Sequence, residues 1–205
     1  SGSLKKTEHK KTKDVFDEAI ENKDDTRGKG QQYHGTSNKI KSIKEYTYSE
    51  NNYYGQGFYT SDAMDVIEGY TKKGKGKKPT IYKVTPSKSK LYDMEKVIDS
   101  DLETALANLQ FDIIDDSLEY LDSPNLRSLY DEIRAESSNQ GMSRIDVQEV
   151  FDAVSDVLRE QGFNGLRHTG GLRTNKKAHN VEIYFDPKSD ISIEEVGKEK
   201  PKPKP

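Results

Sequence analysis

The chain has 205 residues, 31% of them hydrophobic and 34% charged, with a formal net charge of −3. That length suits one domain carrying an insertion, and so polar a composition leaves a modest core with solvated ends. There is no cysteine, which excludes disulfides and thiolate metal sites, and the slight negative charge argues against a general nucleic-acid binder. The four histidines, His9, His34, His168 and His179, have no zinc-type spacing, so no metal is expected. No apolar run approaches the roughly 18 residues of a membrane span, so no membrane association is expected.

In chain order, residues 1–25 read as a lysine-rich tail followed by a short flanking helix. That helix runs from Asp14 to Asn22, with Val15, Phe16, Ala19 and Ile20 on one face. QYHGTS (32–37) reads as a strand end opening into a turn, and GFYT (57–60) as a second extended segment. Ser61 or Asp62 then caps a helix whose apolar face is Ala63, Val66, Ile67 and Tyr70. TKKGKGKKP is a basic glycine-broken loop, and TIYKVTP alternates as a strand.

The middle, about 98–162, is helical. Ser100 and Glu103 form a capping box before a stripe of Leu102, Leu106, Leu109 and Ile113. Ser123-Pro124 starts the next helix, with Leu126, Leu129, Tyr130 and Ile133 inward. Ser143 caps a third, with Val147, Val150, Phe151, Val154 and Leu158 inward and Gly162 as its stop. The acidic series Asp112, Asp115, Asp116, Glu119 and Asp122 reads as a solvated face. FNGLRH and NVEIYFDP read as strands joined by a polar loop, and 194–205 as a disordered Lys/Pro tail. Strands at both ends must share a sheet around the helical block, which makes residues 26–193 one α+β domain.

Several residues point to chemistry. His34-Gly35 pairs an imidazole, able to donate or accept, with a backbone that a ligand can approach closely. Tyr59 and Tyr70 can present flat faces to a planar ring, and Glu182 can set a carboxylate beside a developing positive charge. Together they suggest a cleft for a flat heterocycle on a sugar.

At these residues the chain resembles the ADP-ribosyltransferase superfamily, on its His-Tyr-Glu side with diphtheria toxin and poly(ADP-ribose) polymerase. HGTS (34–37) stands for the family's H-G-[ST] segment, and GQGFYTSD (55–62) for its G-x-G-x-Y segment with Tyr59 as the motif tyrosine. The second, ring-stacking tyrosine of the family lies eleven residues on, as Tyr70 does here. GFNG (162–165) and FDP (185–187) resemble the late pieces of the small domains in phage and mobile-element polyvalent proteins and bacterial toxins. The resemblance covers roughly 31–70, 79–94 and 160–193 and leaves out the helical block.

The resemblance implies a split β-sheet core with an NAD cleft and a helical insertion. It implies mono-ADP-ribosyl transfer from NAD, with no metal, to a macromolecular acceptor, protein in preference to RNA or DNA, by a bacterial or phage effector. The alternatives are an NAD glycohydrolase or an inactive module binding ADP-ribose or a partner. His34, Tyr59 and Glu182 become the catalytic candidates, and His34, Gly35, Thr36, Ser37, Tyr59 and Tyr70 the NAD-binding ones. Aligned on Phe185-Asp186, however, the family's glutamate column falls on Val181. Glu182 then faces the cleft only if a β-bulge shifts it, because strand side chains alternate. The resemblance further implies a monomer working in the cytoplasm of the producing or a target cell. Arg167, Arg173, Lys176 and Lys177 around the late loop would favour an acidic protein face or phosphates. The helical block would act as a lid or as the platform for a partner or immunity protein.

Overall fold

A computed structural model describes residues 30–49, 52–72, 78–172 and 177–197. The expected helix at Asp14–Asn22, most of both tails and most of the basic loop 71–79 lie outside these residues. Among them, seven strands form one mixed sheet: β1 Gln32–Thr36, β2 Phe58–Ser61, β3 Thr80–Pro86, β4 Leu91–Asp93, β5 Gly165–Gly170, β6 His179–Tyr184 and β7 Ile191–Glu195. Their order is β4-β5-β6-β2-β1-β3-β7, with β4 and β5 parallel and the other pairs antiparallel. Six helices accompany them: α1 Met64–Lys72, α2 Ser100–Ala107, α3 Asp112–Tyr120, α4 Leu126–Asn139, α5 Arg144–Glu160 and α6 Pro187–Asp190. The chain is therefore α+β, as expected. Parallel β4 and β5 cannot be joined by a hairpin, and the helical block α2–α5 supplies the crossover.

Within the block the apolar stripes hold while several boundaries move. The stripe from Leu102 to Ile113 is not one helix. It breaks after Ala107, with Gln110 at φ 59°, and α3 restarts at Asp112. Asp99 rather than Ser100 caps α2, its carboxylate accepting from the Leu102 amide. Asn125 rather than Ser123 caps α4 in a reciprocal box with Ser128, leaving Pro124 outside the helix. These residue types cap about equally well, so the backbone decides: Asp99 and Asn125 hold the extended conformation just before the first turn, whereas Ser123 sits at φ 49°. Ser143 caps α5 as expected. Gly162, at φ 89°, ends it by donating to the Arg159 carbonyl while Phe163 donates to Leu158, a Schellman closure. The acidic series on and beside α3 is exposed.

Two apolar clusters cover opposite faces of the sheet. Leu166 and Ile183 point to the large core shared with Leu106, Ile114, Leu129, Tyr130, Phe151 and Val154 of the helices. Their strand neighbours point the other way, where Phe58, Tyr184, Val84 and Ile191 form a smaller core. Strands β4 and β7 and helix α6 were not foreseen, and β7 runs to Glu195, two residues beyond the expected domain end. β1 and β3 pair at five positions, whereas β1 and β2 meet in register only at Tyr33 and Ser61. Beyond that pair the two strands diverge toward Thr36 and Phe58, and the opening between them is the candidate site.

Candidate functional site

The opening is a cleft of about 540 Å³ whose walls include His34, Gly35, Thr36, Ser37, Tyr59 and Tyr70. Three separate elements bring these residues together: the end of β1 and its turn, the middle of β2, and the last turns of α1. The volume falls within the ~300–1,000 Å³ of ordinary small-molecule sites.

Each wall has a local cause. His34 Nδ1 lies 2.7 Å from the Tyr59 carbonyl oxygen, and since a carbonyl only accepts, the proton sits on Nδ1. The ring stacks on Phe58 at 4.0 Å between centroids and meets the edge of Tyr46 at 6.2 Å. Burial holds its pKa down at about 4, against the opposing pull of the Tyr59 carbonyl. At neutral pH His34 is therefore uncharged, with Nε2 as its acceptor. The Tyr59 hydroxyl donates to the Gly55 carbonyl at 2.8 Å and accepts from the Tyr54 amide at 3.0 Å. Burial pushes that phenol well up, so it stays protonated and serves as an anchor for the loop before β2. Tyr70 is 50% exposed although it continues the apolar pattern of α1, while Ile67 one turn earlier is buried.

Gly35 has a role that sequence reasoning assigned differently. A side chain there would overlap the Ile67 carbonyl oxygen and sit 3.0 Å from Ile67 Cγ2. Glycine lets α1, the helix that carries Tyr70, lie directly against β1.

Glu182 is elsewhere. The pairing of β2 with β6 runs unbroken through Phe58↔Tyr184, Tyr59↔Ile183, Thr60↔Glu182 and Ser61↔Val181, and β5 continues it without a bulge. Glu182 therefore shares a face with Phe58 and Thr60, and Val181 shares the face of Tyr59 and Ser61. The expected turn of Glu182 into the cleft is corrected: no extra residue interrupts the ladder to rotate it. Its carboxylate is buried, 2.5 Å from the Tyr184 hydroxyl and 3.4 Å from Asn180 Nδ2. It belongs to a transverse polar row, Asp93–Arg167–Glu182–Thr60, in which Thr60 Oγ1 donates 2.7 Å to Gln32 Oε1. Among the described residues no carboxylate lines the cleft.

The remaining wall was missed in the sequence. Tyr46, Thr47, Tyr48, Ser49, Asn52 and Tyr53, from the segment between β1 and β2, complete it. Five of the 12 tyrosines fall between 46 and 59, and that aromatic density was the available signal. Helix α4 braces this segment: Arg134 donates to the carbonyls of Tyr53 and Asn52, and its guanidinium lies 4.2 Å from the Tyr53 ring and 4.9 Å from that of Phe151. The helical block thus reaches the cleft wall.

Arg167 and His168, also singled out by sequence, take structural positions. Arg167 pairs with Asp93 at 3.2 Å, Lys177 is exposed, and Arg173 and Lys176 lie outside the described residues. His168 is buried on β5 beside Tyr54, its Nδ1 without a partner, and burial with nearby Arg127 holds its pKa at about 4. Thr169 next to it donates to Glu95, which pairs with buried Arg127 at 3.3 Å, tying the end of β5 to the start of α4. Among the described residues no helix is long and apolar enough to cross a membrane. Comparison with protein-family models, curated proteins and solved structures gives no match to this chain.

Proposed function

We propose that the chain is an NAD-dependent mono-ADP-ribosyltransferase acting on a macromolecular acceptor, protein in preference to nucleic acid. The observation that carries this reading is the convergence of His34, Gly35, Thr36, Ser37, Tyr59 and Tyr70 on one cleft from three elements. The nicotinamide stacks between Tyr59 and Tyr70, whose π faces also favour the positive charge that develops on the ribose as the base departs. Neutral His34 accepts a hydroxyl of the adenosine-side ribose at Nε2, and Thr36 or Ser37 serves the nicotinamide ribose. In the transfer the bond between ribose C1′ and the nicotinamide nitrogen breaks, and its electron pair leaves with nicotinamide. The acceptor's nucleophile bonds to C1′ and releases its proton to solvent. The charge on C1′ resembles that of glycoside cleavage.

The position of Glu182 favours a second reading, a module that binds NAD or ADP-ribose in the same cleft and transfers nothing. Incubation with labelled NAD and a cell lysate separates them. Label on macromolecules supports transfer, free ADP-ribose alone supports a glycohydrolase, and saturable NAD binding without turnover supports the binding module. Absence of binding of both NAD and ADP-ribose by calorimetry removes all three.

A further inference from the structure

Beside the cleft, a second cavity of about 870 Å³ lies between α5 and the segment before β2. Ile145, Glu149, Asp152 and Asp156 recur along α5 at helical spacing and form one side of it; Phe111 at the start of α3 and Gln56 stand on the other. Ile145 is 79% exposed, unusual for a large aliphatic side chain. Glu149 and Asp156 are exposed as well, and Asp152 ties the two sides by accepting from Gln148 and from the Gln56 amide. Three carboxylates face one cation in this lining, Arg144.

The groove is continuous with the candidate site. Ser49 lines both the groove and the cleft. Asn52 and Tyr53 of the cleft wall also border a pocket of about 480 Å³ that shares Arg144 and Gln148 with the groove. A chain seated along α5 would pass the mouth of the cleft.

Resting on the function proposed above, we infer that this groove docks the acceptor and that the acceptor is a polypeptide with a basic segment. Its Lys or Arg side chains meet Glu149, Asp152 and Asp156, and a neighbouring apolar side chain covers Ile145 and Phe111. The same carboxylates repel phosphates, so a nucleic acid does not fit. Pairs this exposed are screened by salt, which gives the contact a strong ionic-strength dependence.

The test uses a fluorescein-labelled nonapeptide of three Lys-Gly-Leu repeats, its Glu-Gly-Leu counterpart and a ten-nucleotide single-stranded RNA, read by anisotropy against the full chain. Binding of the lysine peptide alone is expected, weakened at least fivefold in Glu149→Lys/Asp156→Lys. It should persist in Asp101→Lys/Glu103→Lys, which makes the same charge change at exposed positions on α2. Equal loss in both double variants, no loss in the groove variant, or groove-dependent RNA binding or self-association overturns the inference. Calorimetry with NAD on the same samples keeps the two readings apart. Peptide binding without NAD binding defeats the cleft reading alone, and NAD binding without peptide binding defeats the groove alone.

Discussion

Gly35→Ala adds one methyl group at the junction of β1 and α1, and its effect can be worked from the contacts there. The new carbon would overlap the Ile67 carbonyl oxygen and lie 3.0 Å from Ile67 Cγ2. Unbonded heavy atoms settle at about 3.5–4.0 Å, so α1 must retreat from β1 by about 1 Å. Ile67 is 2% exposed and its surroundings are closed, so the strain is expressed as overpacking, at about 1–3 kcal/mol. For a domain of this size the melting temperature then falls by several degrees. Tyr70 sits one turn beyond Ile67 on the same helix and moves with it. A gap of that width forfeits about a quarter to a half of a contact well. A stacked base is worth about 1–3 kcal/mol, so the loss is about 0.25–1.5 kcal/mol and NAD affinity should drop about 1.5- to 13-fold. Differential scanning fluorimetry reads the first effect and calorimetric titration with NAD, below the new melting temperature, the second. A variant that melts early yet binds NAD like wild type would refute the claim that the seat of α1 on β1 sets the spacing of the two rings.

Tyr70→Ala should leave stability within about 0.5 kcal/mol, since the side chain is 50% exposed, yet weaken NAD binding by roughly five- to a hundredfold; an unchanged Kd excludes the ring from the site. Glu182→Ala should behave oppositely, leaving the buried Tyr184 hydroxyl without its acceptor at a cost of about 1–3 kcal/mol while NAD affinity of the folded protein stays the same. A variant of normal melting temperature that loses nicotinamide release would return Glu182 to the cleft. His34 and His168 are both held at about 4, below the ~6.5 of an unfolded chain, so the unfolded state takes up protons first as pH falls. Their stability contribution is intact above pH 6.5 and is lost toward pH 4, at a slope approaching about 2.7 kcal/mol per pH unit. Urea unfolding at pH 7, 6 and 5 checks this, and a flat profile over that interval contradicts it. NAD affinity, which needs an unprotonated Nε2 on His34, should hold steady from pH 8 to about 5 and decline below.

The sequence by itself determined the α+β class, the helical block between two groups of strands, and the inward stripes of α4 and α5. Each follows from local periodicity and capping chemistry, which are written into neighbouring residues. It also picked out His34, Gly35, Thr36, Ser37, Tyr59 and Tyr70, because short motifs fix which residues stand at the ends of strands. The tertiary structure alone decided what those residues do to one another. The face on which Glu182 lies depends on a register shared with β2 and β5, which no single segment encodes. The demand for glycine at position 35 comes from Ile67, 32 residues later in the chain. The wall of Tyr46, Tyr48, Asn52 and Tyr53 is held from other parts of the chain, Arg134 bonding the carbonyls of Asn52 and Tyr53 and the Tyr48 hydroxyl donating to the Phe185 carbonyl. Alternation and helical spacing act within a segment, while cavities are made between segments, and only packing brings those together.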